Sequence, residues 1–148
     1  MNQASTKRPP AFSKGEFSFC PELSNLLQTD STVGRSGKTF KELAALSTLN
    51  NLRVLQEMHL HFRPRRTLEI GLCFGGSCLL FTATHRELSG RPSRQHTAVD
   101  PYQTQAWDDA GLLAVERAGL SEYLDFRPQY SSVALPRLLE NGEPFDLI

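Results

Sequence analysis

A short apolar run that breaks into closely spaced glycines constrains the fold of this chain more than any other feature. Residues 67–70 read Thr-Leu-Glu-Ile and fit a buried β-strand. Gly71 and Gly75 follow, and they allow positive φ angles and close approach of a ligand to the backbone. Ser77 can cap the helix that continues the run, whose free N–H groups face the carboxyl end of the strand, where open α/β sheets bind ligands. The run therefore predicts a ligand-binding turn between a strand and a helix.

Strand and helix patterns alternate along the rest of the chain. Residues 39–42 have the form of a capping box and are followed by apolar residues at helical spacing, which predicts one helix as far as Pro64. Alternation with short connections predicts an α/β domain in which helices cover a mainly parallel sheet. The sequence ends where a fourth strand begins, so we expect the sheet to be incomplete in its C-terminal half. The remaining predicted elements are helices at about 76–88, at about 104–118 and from Ser131 or Ser132, and strands at 97–99, at 123–127 and from Pro144.

The first 37 residues differ in composition from the rest. They mix Pro, Ser, Gly and charged residues, and a brief apolar patch at Leu23, Leu26 and Leu27 predicts one short docking helix. We expect the remainder of this segment to be loose. The chain is therefore divided into a flexible segment at 1–37 and one ligand-binding domain at 38–148, since 148 residues is the length of one ordinary domain.

Composition argues against several classes of partner. Sixteen basic and sixteen acidic side chains cancel, so no net field draws the protein to nucleic acid or to an anionic membrane. A small neutral or zwitterionic ligand suits this balance. The N-terminus lacks an apolar core, and no run approaches the length of a membrane span. Three cysteines without paired spacing argue against a disulfide framework and predict a reducing compartment, so we expect a cytoplasmic protein.

Two known phosphate-binding motifs resemble glycine-containing segments of this chain, but neither motif is matched in full. A dinucleotide site calls for G-x-G-x-x-G, but position 73 is Cys and the glycines open a wider loop. Residues 34–39 end in Gly-Lys-Thr, as a phosphate loop does, but the glycine that this motif needs at position 32 is Thr32. For residues 34–39 we expect a flexible linker that ends in a helix cap.

A third reading rests on four motifs in a fixed order. Residues 69–77 have the form Glu-x-Gly-x-x-x-Gly-x-Ser, and Val99-Asp100-Pro101-Tyr102 follows at the end of the second strand of the domain. Gly119-Leu120-Ser121 precedes the third strand, and Phe145-Asp146-Leu147-Ile148 opens the fourth. Over residues 66–148 this order resembles that of class I S-adenosylmethionine-dependent methyltransferases, with small-molecule O-methyltransferases as the nearest group.

The resemblance implies a Rossmann-like three-layer sandwich that binds S-adenosylmethionine and transfers its methyl group to a small-molecule acceptor, by expectation an oxygen. This cofactor has a zwitterionic tail, a ribose and an adenine but no phosphate, so it needs backbone groups and a carboxylate for the ribose diol. The implied cofactor-binding residues are Gly71 and Gly75 beneath the tail, Ser77 at its carboxylate, Glu69 at the turn or the tail's ammonium, Asp100 at the ribose, and Tyr102 and Ser131 near the adenine.

Several questions stay open at the level of sequence. Glu69 has a structural alternative as a partner of Arg63, Arg65 or Arg66, and Asp100 has one as a strand-ending turn residue. No catalytic residue is assigned, and a divalent metal is allowed by the resemblance but not supported by residues of this chain. His59 and His61 point to different faces of a helix, while His85 and His96 lack partners in the sequence.

The alternatives in function belong to different classes. One is a non-catalytic interaction module or fragment that keeps a methyltransferase-like fold, and another is an NAD-dependent dehydrogenase. Because the fourth strand is only begun, we expect residues 1–148 to give weak or no turnover by themselves, and association into a homo-oligomer is left open.

Overall fold

A computed structural model describes residues 15–148, and these form an α/β fold around a parallel sheet. Among them, no helix is long and apolar enough to cross a membrane. The helices are α1 (Pro21–Thr29), α2 (Leu49–Phe62), α3 (Gly76–Ser89), α4 (Gln103–Trp107), α5 (Ala110–Arg117) and α6 (Ser131–Glu140); the strands are β1 (Ser31–Val33), β2 (Thr39–Lys41), β3 (Thr67–Ile70), β4 (His96–Val99) and β5 (Leu124–Arg127).

The central sheet has the order β3, β4, β5, and all three strands are parallel. Thr67 lies opposite His96, which lies opposite Leu124, so the carboxyl ends of the strands share one edge. On the other side of β3, Leu147 forms a parallel bridge with Thr67. The strands predicted at 67–70, 97–99 and 123–127 are confirmed, and the one predicted from Pro144 is present as this single bridge.

Helices cover both faces of the sheet and give three layers. The larger core lies on the face of α1, α3 and α5 and includes the fully buried Leu79, Leu80 and Leu120. The smaller core joins Leu68 and Val99 to α6 and Phe145. Of the three strands, only the central β4 is buried along its whole length, as expected for a strand with a neighbour on each side and a helix layer on each face.

The segment before residue 38 is more ordered than its composition suggests. The predicted docking helix is α1, and its Leu23 and Leu26 are fully buried in the larger core. A hairpin of β1 and β2 follows, with Thr32 opposite Phe40. The expectation of a loose segment is therefore wrong for residues 15–37, because apolar side chains of α1 dock on the core and backbone pairing holds the hairpin. Residues 1–14 lie outside the described part.

The single helix expected from Thr39 to Pro64 is also wrong. Its first residues form β2, and the helix begins only at Leu49, where Thr48 is the N-cap and accepts a hydrogen bond from the Asn51 N–H at 3.3 Å. Residues 39–41 pair antiparallel with β1 instead of starting a helix, because the chain turns back between Gly34 and Lys38. Residues 34–39 are thus the turn of a hairpin and the start of β2, not a linker that ends in a helix cap.

The helix expected at 104–118 is divided into α4 and α5. Asp108 and Asp109 separate the two, and both have positive φ angles, of 49° and 54°. Asp108 accepts hydrogen bonds from the backbone N–H and the hydroxyl of Ser36, at 3.0 and 2.7 Å. The break therefore ties α5 to the hairpin turn, and Gly119, predicted to end this helix, follows α5 with a φ of 66°.

Candidate ligand-binding site

A cavity of about 550 Å³ opens at the carboxyl end of β3, and we call it the β3 cavity. Its lining includes residues 70–73 at the end of β3 and Leu55 and Met58 of α2. The predicted residues Glu69, Gly71 and Ser77 are all among its lining residues, which also include Ala45, Ser47, Leu68, Gly76, Phe81, Leu147 and Ile148. The turn that contains Gly71 thus lies on an open cavity.

The two glycines of the turn have different roles. Gly71 has a φ of +91°, and a Cβ placed there would meet no atom within 4 Å. Gly75 has a φ of +83°, but a Cβ there would lie 3.1 Å from the carbonyl oxygen of Gly111. Gly71 therefore presents bare backbone to the cavity, whereas Gly75 allows the turn to pack against α5.

Ser77 does not cap α3. Gly75 is the N-cap and no side chain caps the helix, because the Ser77 hydroxyl donates instead to Oε2 of Glu69 at 2.5 Å. The N–H groups of the first turn of a helix have no partner within it. The expected capping role is therefore wrong for Ser77, and the start of α3 keeps backbone donors beside the cavity.

Glu69 is held between α3 and β4. Its side chain is 10% exposed, and Oε1 lies 3.1 Å from Nε2 of His96. Of the arginines considered as its partners, Arg66 pairs instead with Glu143 at 2.6 Å. The carboxylate thus orders the turn through Ser77.

Asp100 clasps the glycine-rich turn from the end of β4. Its Oδ2 accepts hydrogen bonds from the N–H groups of Leu72 at 2.9 Å and Cys73 at 3.1 Å, and from the side-chain amide of Gln103 at 3.1 Å. Oδ1 accepts one from the N–H of Tyr102 at 2.8 Å. Burial raises the pKa of Asp100, but these four hydrogen bonds outweigh it and the pKa is lowered overall. With the residue 3% exposed, the carboxylate faces the turn rather than open space.

Two tyrosines meet beyond the turn. Tyr102, after β4, and Tyr130, after β5, have hydroxyls 3.3 Å apart and ring centroids 5.8 Å apart, and they are 46% and 56% exposed. Ser131 begins α6, and Tyr130 is the N-cap, so the cap expected at Ser131 or Ser132 is wrong. Sequence reasoning missed Tyr130, although an aromatic residue just after a strand's carboxyl end was a usable signal.

Three buried histidines lie behind the cavity. The Thr67 hydroxyl oxygen is 2.8 Å from Nδ1 of His96 and 3.0 Å from Nε2 of His85, and the His85 ring lies 4.4 Å from that of His59. Burial lowers the pKa of His59 to about 4 and that of His85 to about 3. The view that His85 and His96 lack partners is wrong, because parallel pairing of β3 and β4 brings Thr67 and His96 together across 29 residues of sequence.

Comparisons with known proteins give structural neighbours only. The O-methyltransferase from Bacillus cereus, solved in complex with SAH, aligns with a TM-score of 0.58 and 21% identity over 86% of this chain and 52% of its own. A protein from Klebsiella pneumoniae with a provisional O-methyltransferase name aligns with a TM-score of 0.54 and 20% identity over 86% of this chain and 51% of its own. No protein-family model and no curated protein matches. The chain thus has the Rossmann-like fold of these structures and spans about half their length.

Proposed function

We propose that this chain is the cofactor-binding part of an S-adenosylmethionine-dependent methyltransferase that acts on a small molecule, with oxygen as the acceptor atom. The observation that carries the proposal is the β3 cavity, where bare backbone at Gly71, the start of α3 and two polar side chains meet at the carboxyl end of a parallel strand. Open α/β sheets bind their ligands at this position. The structural neighbours are named as O-methyltransferases, and the chain covers about half of each.

The residues of the cavity suit a zwitterionic ligand without phosphate. Backbone donors at the start of α3 suit the carboxylate of an amino-acid tail. Ser77 lies beside them, and its hydroxyl hydrogen is donated to Glu69. Glu69 supplies a negative charge for the ammonium group, and Gly71 leaves room for the tail on the main chain. Among the lining residues within 15–148 there is no Lys or Arg, the side chains that a pyrophosphate favours.

The adenosine end of the cofactor is assigned to the neighbouring strand ends. Tyr102 and Tyr130 form an exposed aromatic pair on which an adenine can pack, and Ser131 stands beside them at the start of α6. Asp100 already accepts four hydrogen bonds from the protein, and only Oδ1, with a single bond, keeps capacity for a ribose hydroxyl. We therefore assign Asp100 first to holding the turn and second to the ribose.

In the reaction, the bound cofactor supplies an electrophilic methyl group on a sulfonium. The residues of this chain bind and orient: the turn and α3 hold the tail, and the apolar side chains of Leu55 and Met58 exclude water from one wall. Alignment of two reacting groups accounts for a large share of the rate gain in reactions of this kind. The general base and the acceptor-binding residues are not assigned to side chains of this chain.

The setting proposed for the protein is cytoplasmic. All three cysteines are free thiols, two of them buried, which suits a reducing compartment. Balanced charge suits a small-molecule acceptor rather than nucleic acid. We propose no fixed oligomeric state.

Calorimetric titration of the whole chain tests the proposal. We expect saturable binding of S-adenosylmethionine and S-adenosylhomocysteine and no binding of NAD. Gly71→Ala places a methyl group where the tail would lie and should abolish binding. Gly90→Ala is the matched control, because Gly90 also has a positive φ, of 61°, and open space around it but lies at the far end of α3.

The alternatives give different results in the same titration. NAD binding without binding of the methyl donor would support the dehydrogenase. If neither cofactor binds to folded protein, the proposal is overturned in favour of the non-catalytic module. Equal loss of binding in both glycine variants would also count against it, because the effect would then come from backbone strain rather than from the cavity.

A further inference from the structure

We propose that Glu69, Cys78 and His96 form a binding site for a divalent transition-metal ion of the zinc type. The site lies between β3, α3 and β4, just behind the β3 cavity. It does not depend on the proposed function, since its residues are brought together by the fold itself.

The three side chains converge on one point. One ligand atom from each, a carboxylate oxygen, the Cys78 sulfur and an imidazole nitrogen, lie within 4.8 Å of one another. Zinc bonds of about 2.0–2.3 Å in a tetrahedron place ligand atoms roughly 3.3–3.8 Å apart, so small side-chain rotations close the site. Cys78 and His96 are fully buried, and Glu69 is nearly so.

Two of these atoms are left without a hydrogen-bond partner. Oε1 of Glu69 and Nε2 of His96 are 3.1 Å apart but are not aligned for a hydrogen bond, and within residues 15–148 neither finds another partner. A buried polar atom without a partner costs about 1–3 kcal/mol. A cation bound to both atoms would remove that cost.

The surrounding hydrogen bonds prepare both groups as ligands. The Thr67 hydroxyl has one hydrogen, so it accepts from one imidazole ring and donates to the other. When it accepts from Nδ1 of His96 and donates to Nε2 of His85, Nε2 of His96 keeps its lone pair for a metal. Ser77 fixes the Glu69 carboxylate through Oε2 at 2.5 Å and leaves Oε1 free. Metal-binding histidines are usually oriented by such an outer hydrogen bond.

The donor set decides the class of ion. One thiolate, one imidazole and one carboxylate suit zinc and its neighbours, whereas magnesium and calcium take oxygen ligands. Binding replaces the S–H bond of Cys78 by a sulfur–metal bond and releases one proton to solvent, with no change in oxidation state. Glu69 also lines the β3 cavity, which gives the ion a path from solvent and leaves room for a water as fourth ligand.

Cobalt(II) added to the reduced chain tests the site, because a cobalt–thiolate bond gives a charge-transfer absorption in the near ultraviolet. We expect this band to saturate at one equivalent of cobalt and to vanish when zinc displaces it. Cys78→Ser and His96→Asn should lose the band. Cys73→Ser is the matched control, since Cys73 is the only one of the three cysteines that is not buried, and it should keep the band.

Unfolding midpoints provide the second measurement. Zinc should raise the midpoint of the wild type and of Cys73→Ser, but not that of Cys78→Ser. If Cys78→Ser does not fold, the wild-type titration still decides: folded protein without a thiolate band overturns the site, as does a band lost in Cys73→Ser. None of these readouts requires the methyl donor, so failure here is separate from failure of the proposed function.

Discussion

The carboxylate of Asp100 accepts a hydrogen bond from the backbone N–H of Leu72 at 2.9 Å, although 28 residues separate them. This contact joins the end of β4 to the turn that follows β3. Because Cys73 and Gln103 donate to the same oxygen, one side chain determines the shape of the glycine-rich turn. The acid at the second strand end is thus a structural clasp for the candidate site.

Replacement of this clasp should destabilise the fold. In Asp100→Asn, an NH₂ group replaces one of the two oxygens that accept backbone hydrogen bonds, and the negative charge is removed. We therefore expect the free energy of unfolding to fall by about 1–3 kcal/mol. Urea denaturation measures it. Glu116→Gln is the control, because its pair with Arg35 is exposed and such pairs are worth about 0–1 kcal/mol. Equal effects of the two changes would contradict the clasp.

The buried histidines should make stability fall in mild acid. His59 has a pKa of about 4 in the folded state against 6.5 ordinarily, because burial disfavours its charged form. As the pH falls from 6.5 to about 4, the unfolded chain takes up a proton that the folded chain does not, so stability falls. For His59 this amounts to on the order of 3 kcal/mol below pH 4, and His85 adds a loss in the same direction.

His59→Phe should reduce this pH dependence. Neither ring nitrogen of His59 has a hydrogen-bond partner within the described part, and the ring packs against Phe81, so a phenyl ring fits its surroundings. We expect stability at pH 7 to be kept and the loss between pH 6.5 and 4 to shrink, measured by urea denaturation at each pH. His61 is exposed, so His61→Gln should keep the pH dependence of stability seen in the wild type. An unchanged slope in His59→Phe would contradict the assignment.

How far the sequence predicts the structure depends on how local each signal is. The strands β3, β4 and β5, helix α3 and the positive φ of Gly71 follow from short-range patterns and are confirmed, whereas β1 and β2 were not predicted. The helix expected from Thr39 is wrong, because pairing with β1 is a longer-range interaction that outweighs a capping pattern. The contacts of His96 with Thr67 and Glu69 depend on strand register, which spacing along the chain does not reveal. Local patterns therefore predicted the turn and α3, and they did not reveal the contacts between strands.

The packing of Gly75 on Gly111 predicts an unusual response to alanine. In the interior of a helix, Gly→Ala normally stabilises by up to about 1 kcal/mol. At Gly111 the new Cβ would lie 2.5 Å from the carbonyl oxygen of Cys73, so we expect a net loss of about 1–3 kcal/mol instead. Thermal unfolding shows whether Gly111→Ala lowers or raises the stability. A raised midpoint would contradict the close contact of α5 with the turn.

Two substitutions of Tyr130 separate the contribution of its ring to cofactor binding from that of its hydroxyl. If the adenine packs on Tyr102 and Tyr130, Tyr130→Ala should weaken binding of S-adenosylhomocysteine by about 1–3 kcal/mol, the usual worth of a base on an aromatic ring. Tyr130→Phe keeps the ring and loses only the 3.3 Å contact between the hydroxyls, so its affinity should stay near that of the wild type. Both residues are exposed, so neither change should unfold the chain. Calorimetry that finds Tyr130→Ala equal to the wild type would place the adenine elsewhere.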